Sequence, residues 1–231
     1  MRFGSSNGQR SLRFADRVDA GRRLAERLSA YRGSDAVVAG LPRGGVPVAF
    51  EVAMSLGLPL DVIVVRKLGA PFQPELAVGA VGEAGVRVVD ERIARLAGIT
   101  ESAIDEDTRV KSDEVERRSL LFRQKRAPIS LDGRTVIVVD DGVATGSTCR
   151  AACRVARARG ARRLVLAVPV GATESIHELA DSADEIICLS TPPGFGSVGE
   201  WYEDFTQTSD AEVRTLLQEA AARNLDDGSD G

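Results

Sequence analysis

Two adjacent carboxylates end an apolar stretch of this chain. The sequence VIVVDDGVATGST occupies residues 136–148, so Asp140 and Asp141 directly follow a run of β-branched residues that is typical of a buried strand. Neighbouring anions repel each other, and a purely structural strand end has little use for them. Carboxylates accept hydrogen bonds from vicinal hydroxyl groups or help to hold Mg²⁺. The pair therefore indicates a binding role.

A small loop rich in hydroxyl groups follows the two acids. Thr145, Ser147 and Thr148 supply hydroxyl donors, and Gly146 lets an anion approach the backbone closely. The helix expected after the loop would direct unpaired backbone N–H groups and a partial positive charge at the same place. The loop thus predicts a cradle for a phosphomonoester, although the Gly-x4-Gly-Lys pattern of a P-loop is missing. Beside two carboxylates, such a cradle suits a ribose 5-phosphate; the structural alternative is a capped helix after an acidic strand end.

Short apolar runs alternate with amphipathic segments along the chain, and this alternation predicts an α/β fold with a doubly wound, mainly parallel central sheet and helices on both faces. Ligands bind such sheets beyond the carboxyl ends of the strands. The motif loop, PRGG at residues 42–45 and RKLG at residues 66–69 all follow predicted strands. We therefore expect them to converge on one crevice. The predicted strands are residues 35–41, 60–65, 135–139, 164–170 and 185–189, and the predicted helices are residues 14–28, 46–56, the segment from the motif to about 159, 173–183 and 210–222.

The segment between the two halves of this pattern is predicted to be an insertion. Residues 75–90 contain two apolar segments around a Gly-rich turn, which predicts a β-hairpin. Residues 100–126 form a long charged helix with its acids early and its basic residues late, a polarity that suits the helix macrodipole. Because its apolar stripe is weak, we expect most of this helix to be a solvated arm.

The C-terminal part of the chain is predicted to carry an aromatic-rich hood segment at residues 192–210. Phe195, Trp201 and Tyr202 lie in it, and aromatic faces suit stacking on a planar heterocycle. They equally suit a small hydrophobic lid over the sheet, so both interpretations stay open. Residues 12–222 are predicted to form a single domain, with flexible tails at residues 1–11 and 223–231.

Composition limits the classes of function. The 231 residues are 43% hydrophobic and 28% charged, as in ordinary globular proteins, and the net charge of −4 argues against a general nucleic-acid binder. No secretory signal and no run of about 18 apolar residues is present, so we expect no membrane span. An odd number of cysteines without a signal indicates reduced thiols and a cytoplasmic protein. A homo-oligomer stays open.

On these residues the chain resembles the type I phosphoribosyltransferases. An apolar strand, two acids, a few small residues and then Thr-Gly-x-Thr is similar to their motif for 5-phosphoribosyl-1-pyrophosphate (PRPP). The resemblance extends over about residues 37–210 and includes LPRGGVPVA at residues 41–49 and VGEWYEDFTQTSD at residues 198–210. It is closest to an uncharacterised phosphoribosyltransferase-domain family that carries both segments.

The resemblance implies roles for individual residues. Two acids would hold the ribose 2- and 3-hydroxyls and Mg²⁺, the loop would wrap the 5-phosphate, and PRGG would bind pyrophosphate through glycine N–H groups and an arginine fork. A basic pair after the second strand would also face pyrophosphate, or else cap the strand at the surface. In that order, the residues are Asp140 and Asp141; Ala144, Thr145, Gly146, Ser147 and Thr148; Arg43, Gly44 and Gly45; and Arg66 and Lys67.

The implied reaction uses PRPP and Mg²⁺ to transfer a 5-phosphoribosyl group to a nitrogen acceptor, a nucleobase or related heterocycle, with release of pyrophosphate. Enzymes that salvage 6-oxopurines commonly carry an acid where this chain has Ala144, which disfavours hypoxanthine and guanine as acceptors. Glu83, in the Gly-rich hairpin, is a candidate acid or base on a mobile loop, with a solvated turn as the alternative. A second class of function stays open, a PRPP-sensing regulator without transferase activity.

Overall fold

The computed structural model describes residues 13–70, 73–124 and 126–226. Its main sheet has five strands that all run parallel, in the spatial order second, first, sixth, seventh and eighth along the chain. A separate three-stranded antiparallel sheet holds the other strands. The strands are β1 (Val37–Gly40), β2 (Leu60–Val62), β3 (Val65–Ala70), β4 (Gln73–Gly82), β5 (Arg87–Val89), β6 (Thr135–Val139), β7 (Arg163–Val170) and β8 (Glu185–Ser190).

Helices cover both faces of the parallel sheet, as the alternation of elements predicts. Successive residues of a strand point to opposite faces, so Val136 and Val138 pack with one helical layer and Ile137 and Val139 with the other. The doubly wound α/β fold is confirmed. The helices are α1 (Arg17–Arg27), α2 (Gly45–Leu56), α3 (Glu91–Leu96), α4 (Glu101–Arg123), α5 (Ser147–Ala158), α6 (Thr173–Glu178) and α7 (Asp210–Asp226).

The second predicted strand is split between the two sheets. β2 pairs with β1 only as far as Val62, and Val65 already begins β3, which pairs antiparallel with β4. The predicted hairpin is present as β4 and β5. The sequence could not predict this split, because every residue of an apolar run is equally suited to either sheet. Arg66 and Lys67 therefore lie inside a strand of the insertion and do not follow a strand of the main sheet.

Most residues of helix α4 are exposed or half-buried, as predicted, but a few buried side chains along its length anchor it to the fold, so it is not a free arm. Val115 and Phe122 are fully buried and join the core on the α2 face of the sheet. Arg123 is only 4% exposed. A few buried side chains suffice to fix the helix, although most of its remaining surface is polar or charged.

The hood is built from both ends of the described chain. Phe14 N–H donates to the Trp201 carbonyl at 2.8 Å, and Glu203 N–H donates to the Phe14 carbonyl at 2.8 Å. Phe14 and Tyr202 form a bridge in parallel orientation. The predicted first helix accordingly starts later, at Arg17, because the residues before it pair with the C-terminal segment. The predicted tail at residues 1–11 and residues 227–231 of the predicted tail 223–231 lie outside the described residues. Residues 223–226 belong to the last helix, which extends to Asp226, so the tail prediction is wrong for them.

Candidate functional site

Two of the three predicted loops meet at the carboxyl edge of the parallel sheet. β1 and β6 are neighbours, and Leu41 N–H donates to the Val139 carbonyl at 2.9 Å. A Cβ atom on Gly45 would lie 2.6 Å from the Val139 oxygen and 2.8 Å from the Asp140 Cα. A Cβ on Gly44 would overlap the Asp141 carboxylate. The PRGG loop, whose Pro42–Arg43 peptide bond is cis, therefore sits directly against the two acids only because both residues are glycine.

Arg43 is the cation of this loop. It is half-buried, and within residues 13–70, 73–124 and 126–226 no hydrogen-bond or ion-pair partner engages its guanidinium. Many other arginines of the chain are paired with a carboxylate. A guanidinium left open beside two glycines has its fork of donors available for a phosphate group.

The two acids are held in different surroundings. Asp140 Oδ1 accepts the N–H of Asp141 at 2.9 Å, and the Cys149 thiol lies 3.7 Å from Oδ2. Burial raises the pKa of Asp140 well above its usual range, and the neighbouring charge of Asp141 raises it further. Burial also raises the pKa of Asp141, but the Arg17 guanidinium opposes that rise. Two carboxylates this close are costly unless cations or donors compensate them.

Arg17 is a residue of the site that the sequence did not reveal. Its Nε atom donates to Asp141 Oδ2 at 2.9 Å, and its Nη2 atom lies 2.8 Å from the same oxygen in an ion pair. Its Nη1 atom donates to the Thr206 carbonyl at 2.8 Å, and its guanidinium carbon lies 4.0 Å from the centre of the Phe205 ring. Arg17 is separated from Asp141 by more than a hundred residues, and one arginine among 30 basic residues carries no local signal.

The loop after the acids leads into α5 without a side-chain cap. Gly146 is the N-cap residue with φ of +73°, and no side chain among the described residues caps the first turn of α5. Thr145 is exposed, and its hydroxyl oxygen lies 3.1 Å from that of Ser147. The Ser175 hydroxyl donates to the Ala144 carbonyl and fixes the loop from below. The free N–H groups of the first helical turn and two hydroxyls therefore face one place, where an anion would satisfy them.

The Arg66 guanidinium is engaged away from the site formed by the two acids, the PRGG loop and the N-terminus of α5. Its Nη2 atom pairs with Glu114 on α4 at 2.7 Å, and its Nη1 atom donates to the Val65 carbonyl at 2.9 Å. The prediction that Arg66 follows a strand of the main sheet is wrong, because Arg66 lies within β3. Lys67 lies on the opposite face of the same strand, and its pyrophosphate role stays a prediction.

Glu83 is not on a mobile loop, so that interpretation is wrong. It is 4% exposed, its Oε1 atom accepts the Val64 N–H at 2.9 Å, and its Oε2 atom pairs with Arg123. The backbone turns at the surface, but the side chain folds inward to a cation that lies 40 residues away. Both carboxylate oxygens are thus engaged inside the fold.

The aromatic residues of the hood form a small cluster beside the acids. Tyr202 is 5% exposed, donates its hydroxyl to the Asp141 carbonyl at 2.6 Å, and packs between Phe14 and Phe205 with ring centres 5.4 and 5.0 Å away. Its ring is therefore part of the lid and not an open stacking face. Phe195 and Trp201 are half-buried against this cluster, and their place in an acceptor pocket stays a prediction.

The acids suit a metal ion only if a ligand supplies the other donors. Among the residues that the structure covers, no group of three or more His, Cys, Asp or Glu side chains could hold a metal ion. Mg²⁺ is commonly held by one or two carboxylates together with substrate phosphates and water. Asp140 and Asp141 fit that mode. In the same part of the chain, no helix combines the length and apolar character needed to cross a membrane.

These features define a class of protein: an α/β domain whose parallel sheet carries paired acids, a glycine–arginine loop and an open helix N-terminus at one edge. A family model for the phosphoribosyl transferase domain matches residues 13–204. The chain therefore belongs to the phosphoribosyl transferase family, a family of glycosyltransferase-type enzymes.

Relatives agree with this assignment. Over 207 residues, or 90% of this chain, it is 55% identical to two Mycobacterium tuberculosis proteins, "Putative phosphoribosyl transferase Rv0571c" of strain H37Rv and "Putative phosphoribosyl transferase MT0597" of strain CDC 1551. The match covers 47% of each, so the chain spans about half the length of these curated relatives. The crystal structure of TT1426 from Thermus thermophilus is similar with a TM-score of 0.84 and 43% identity, over 90% of this chain and 98% of that one.

Proposed function

We propose that the chain is a phosphoribosyltransferase that uses PRPP and Mg²⁺ to transfer the 5-phosphoribosyl group to a nitrogen acceptor, a nucleobase or related heterocycle, in the cytoplasm. The observation that carries the proposal is the open N-terminus of α5 next to Asp140 and Asp141. A phosphate site and a hydroxyl-binding site then lie at the two ends of one loop, as the phosphate and diol of a ribose 5-phosphate require. Membership of the family supports the same ligand.

The residues of the site divide the work of this reaction. The α5 N-terminus and Thr145 would hold the 5-phosphate, and the two acids would accept the ribose hydroxyls. The PRGG loop, with the unpaired Arg43, would stabilise the charge that develops on the departing diphosphate. Mg²⁺, when bound to the acids and the diphosphate, would supply further charge neutralisation. The remaining rate enhancement would come from holding the donor and the acceptor in line. The oxocarbenium-like transition state needs no protein nucleophile.

Arg43→Ala is expected to weaken PRPP binding by about 1.5–3 kcal/mol, roughly a 10- to 150-fold increase in Kd, the range for a hydrogen bond to a charged group. Isothermal titration with PRPP and Mg²⁺ measures this change. Arg22→Ala is the matched control, because its guanidinium pairs with Glu51 on the surface and lies outside the proposed site. An unchanged Kd for Arg43→Ala would remove this residue from the diphosphate site.

Thr145→Ala is expected to leave the stability of the free protein nearly unchanged and to remove much of the stabilisation by ribose 5-phosphate. The Thr145 hydroxyl caps no helix, so its value appears only when ligand is bound. A ligand at 100 times its Kd stabilises the folded state by about 2.7 kcal/mol. Urea denaturation of wild type and variant, each with and without ligand and Mg²⁺, measures both quantities.

Thr100→Ala is the control for this experiment. Thr100 is a true N-cap, since its hydroxyl accepts the Ala103 N–H at the start of α4. Its loss should cost about 0.5–2 kcal/mol equally with and without ligand. If Thr145→Ala behaves in this way instead, the phosphate-cradle role of Thr145 is wrong.

A second candidate function is a PRPP-sensing protein that keeps the phosphoribosyl site without transferase activity. Two observations on candidate acids and bases favour it. The loop position that carries an acid in 6-oxopurine enzymes is Ala144, and the Glu83 carboxylate is engaged with Arg123. Pyrophosphate release from PRPP and Mg²⁺ across a panel of nucleobases and other nitrogen acceptors separates the two. Binding of PRPP without release for any acceptor favours the sensor.

A further inference from the structure

We propose that Arg17 is a positioning residue for the ribose-binding carboxylate of Asp141. This inference rests on the proposed function, because it assigns Arg17 to the same site. The hydrogen bond from Arg17 Nε and the ion-pair contact of its Nη2 atom both fall on one oxygen, Oδ2. In the part of the chain that the structure describes, no hydrogen bond reaches Asp141 Oδ1. The contact therefore fixes the carboxylate and keeps its second oxygen available for a ribose hydroxyl.

Three segments of the chain are joined at this guanidinium. Arg17 opens α1, Asp141 follows β6, and Thr206 lies in the hood. A guanidinium presents its donors in a planar fork, so it can serve two acceptors at once, which the ammonium of lysine does less well. The arrangement couples the closed hood to the position of one acid in the site.

The location of Arg17 is not one that a surface arginine would favour. It is the first residue of α1, where the helix macrodipole disfavours a cation. Its side chain is only 12% exposed, and the aromatic face of Phe205 covers it at 4.0 Å. The helix macrodipole and the loss of water are costs for this cation, and the contact with Phe205 and the ion pair with Asp141 offset them. The partner with the opposite charge is Asp141.

Gly44 of the PRGG loop packs against this ion pair. A Cβ on Gly44 would overlap Asp141 Oδ2 and would lie 3.2 Å from Arg17 Nη2. The ion pair is therefore packed directly under the PRGG loop. A carboxylate clamped in this way has one orientation when ligand arrives, and less conformational freedom is lost on binding.

A purely structural alternative is that Arg17 only fastens the N-terminal segment to the hood. Arg23 provides the comparison, since it also lies on α1, pairs with Asp19, and sits 5.4 Å from the centre of the Phe14 ring in the hood. Neither of these contacts involves the motif. Arg17→Met and Arg23→Met thus remove similar side chains, of which one reaches Asp141.

Titration with two probes separates the two roles. Ribose 5-phosphate uses both the cradle and the acids, whereas inorganic phosphate uses the cradle alone. We expect Arg17→Met to weaken ribose 5-phosphate binding by about tenfold or more, the effect of one charge-assisted hydrogen bond, and to change phosphate binding little. Arg23→Met should change neither. In an Asp141→Asn background, Arg17→Met should add almost nothing, since the two residues act as one unit.

Other outcomes would overturn the inference. If Arg17→Met binds ribose 5-phosphate as wild type does, or loses both probes in parallel, Arg17 is only a structural fastener. Arg17→Lys guards against a variant that fails to fold: it keeps the charge, and its ratio of the two affinities should fall between those of wild type and Arg17→Met. An unchanged ratio in Arg17→Lys together with an unfolded Arg17→Met contradicts positioning. If wild type itself binds neither probe, the proposed function fails, and this inference fails with it.

Discussion

Arg123→Met should lower the free energy of unfolding by about 3–5 kcal/mol, the cost of leaving buried charges without their partner. Arg123 Nε donates to Asp61 Oδ1 at 2.7 Å, Nη2 donates to the Val62 carbonyl at 2.7 Å, and Nη1 pairs with Glu83. All three charged side chains are at most 7% exposed. Met preserves the apolar stem of the side chain, so the loss reports on the charge and its hydrogen bonds.

Urea denaturation followed by circular dichroism measures this effect. The matched control is Arg109→Met on the same helix, where the ion pair with Glu106 is mostly exposed and its removal should leave stability unchanged within error. Arg159, whose Nη1 lies 3.8 Å from Glu83, compensates part of the charge and favours the lower end of the range. A loss for Arg123→Met as small as that of the control would contradict the buried cluster.

This cluster illustrates what the sequence could not predict. Arg123 looks like one more cation near the end of a charged helix, and the partners that bury it lie 62 and 40 residues away. Helix periodicity indicates which residues share a face but not which charges meet across the fold. For the same reason Glu83 reads as an exposed turn residue, although its side chain is committed to the interior.

The strand–loop–helix arrangement around the two acids could be predicted because its parts are contiguous. Strand β6, the acids, the loop and helix α5 follow one another directly, and each has a local signal in apolar periodicity, glycine and hydroxyl residues. The neighbouring PRGG loop follows from the same logic, since parallel strands end at one edge. Arg17 and Tyr202 reach Asp141 from opposite ends of the chain, and no local pattern marks such a meeting.

Gly44→Ala should nearly abolish PRPP binding, with a loss of about 3–6 kcal/mol. Gly44 has φ of −62° and ψ of −31°, a conformation that alanine adopts freely, so the backbone itself does not oppose the substitution. The added Cβ, however, would overlap Asp141 Oδ2 and lie 2.7 Å from its Cγ. We expect the carboxylate to turn away from Arg17, which lowers stability and moves the acid out of its proposed ribose contact, and the proposed contacts of the loop with the diphosphate to weaken. The expected loss corresponds to two charge-assisted hydrogen bonds at about 1.5–3 kcal/mol each.

A second substitution distinguishes this clash from a general disturbance of the loop. In the Asp141→Ala background the overlapping atoms are absent, so Gly44→Ala should no longer lower the stability of the free protein there. The unpaired Arg17 is common to both variants and cancels in this comparison. PRPP affinity should stay low, because the ribose has lost its acceptor. Isothermal titration and urea denaturation of the two single variants and the double variant measure both effects. If Gly44→Ala binds PRPP within about threefold of wild type, a shift below about 0.7 kcal/mol, the loop and the acid do not act on the same ligand. If Gly44→Ala lowers stability as much in the Asp141→Ala background as in wild type, the close approach of Gly44 to Asp141 is not what fixes this site.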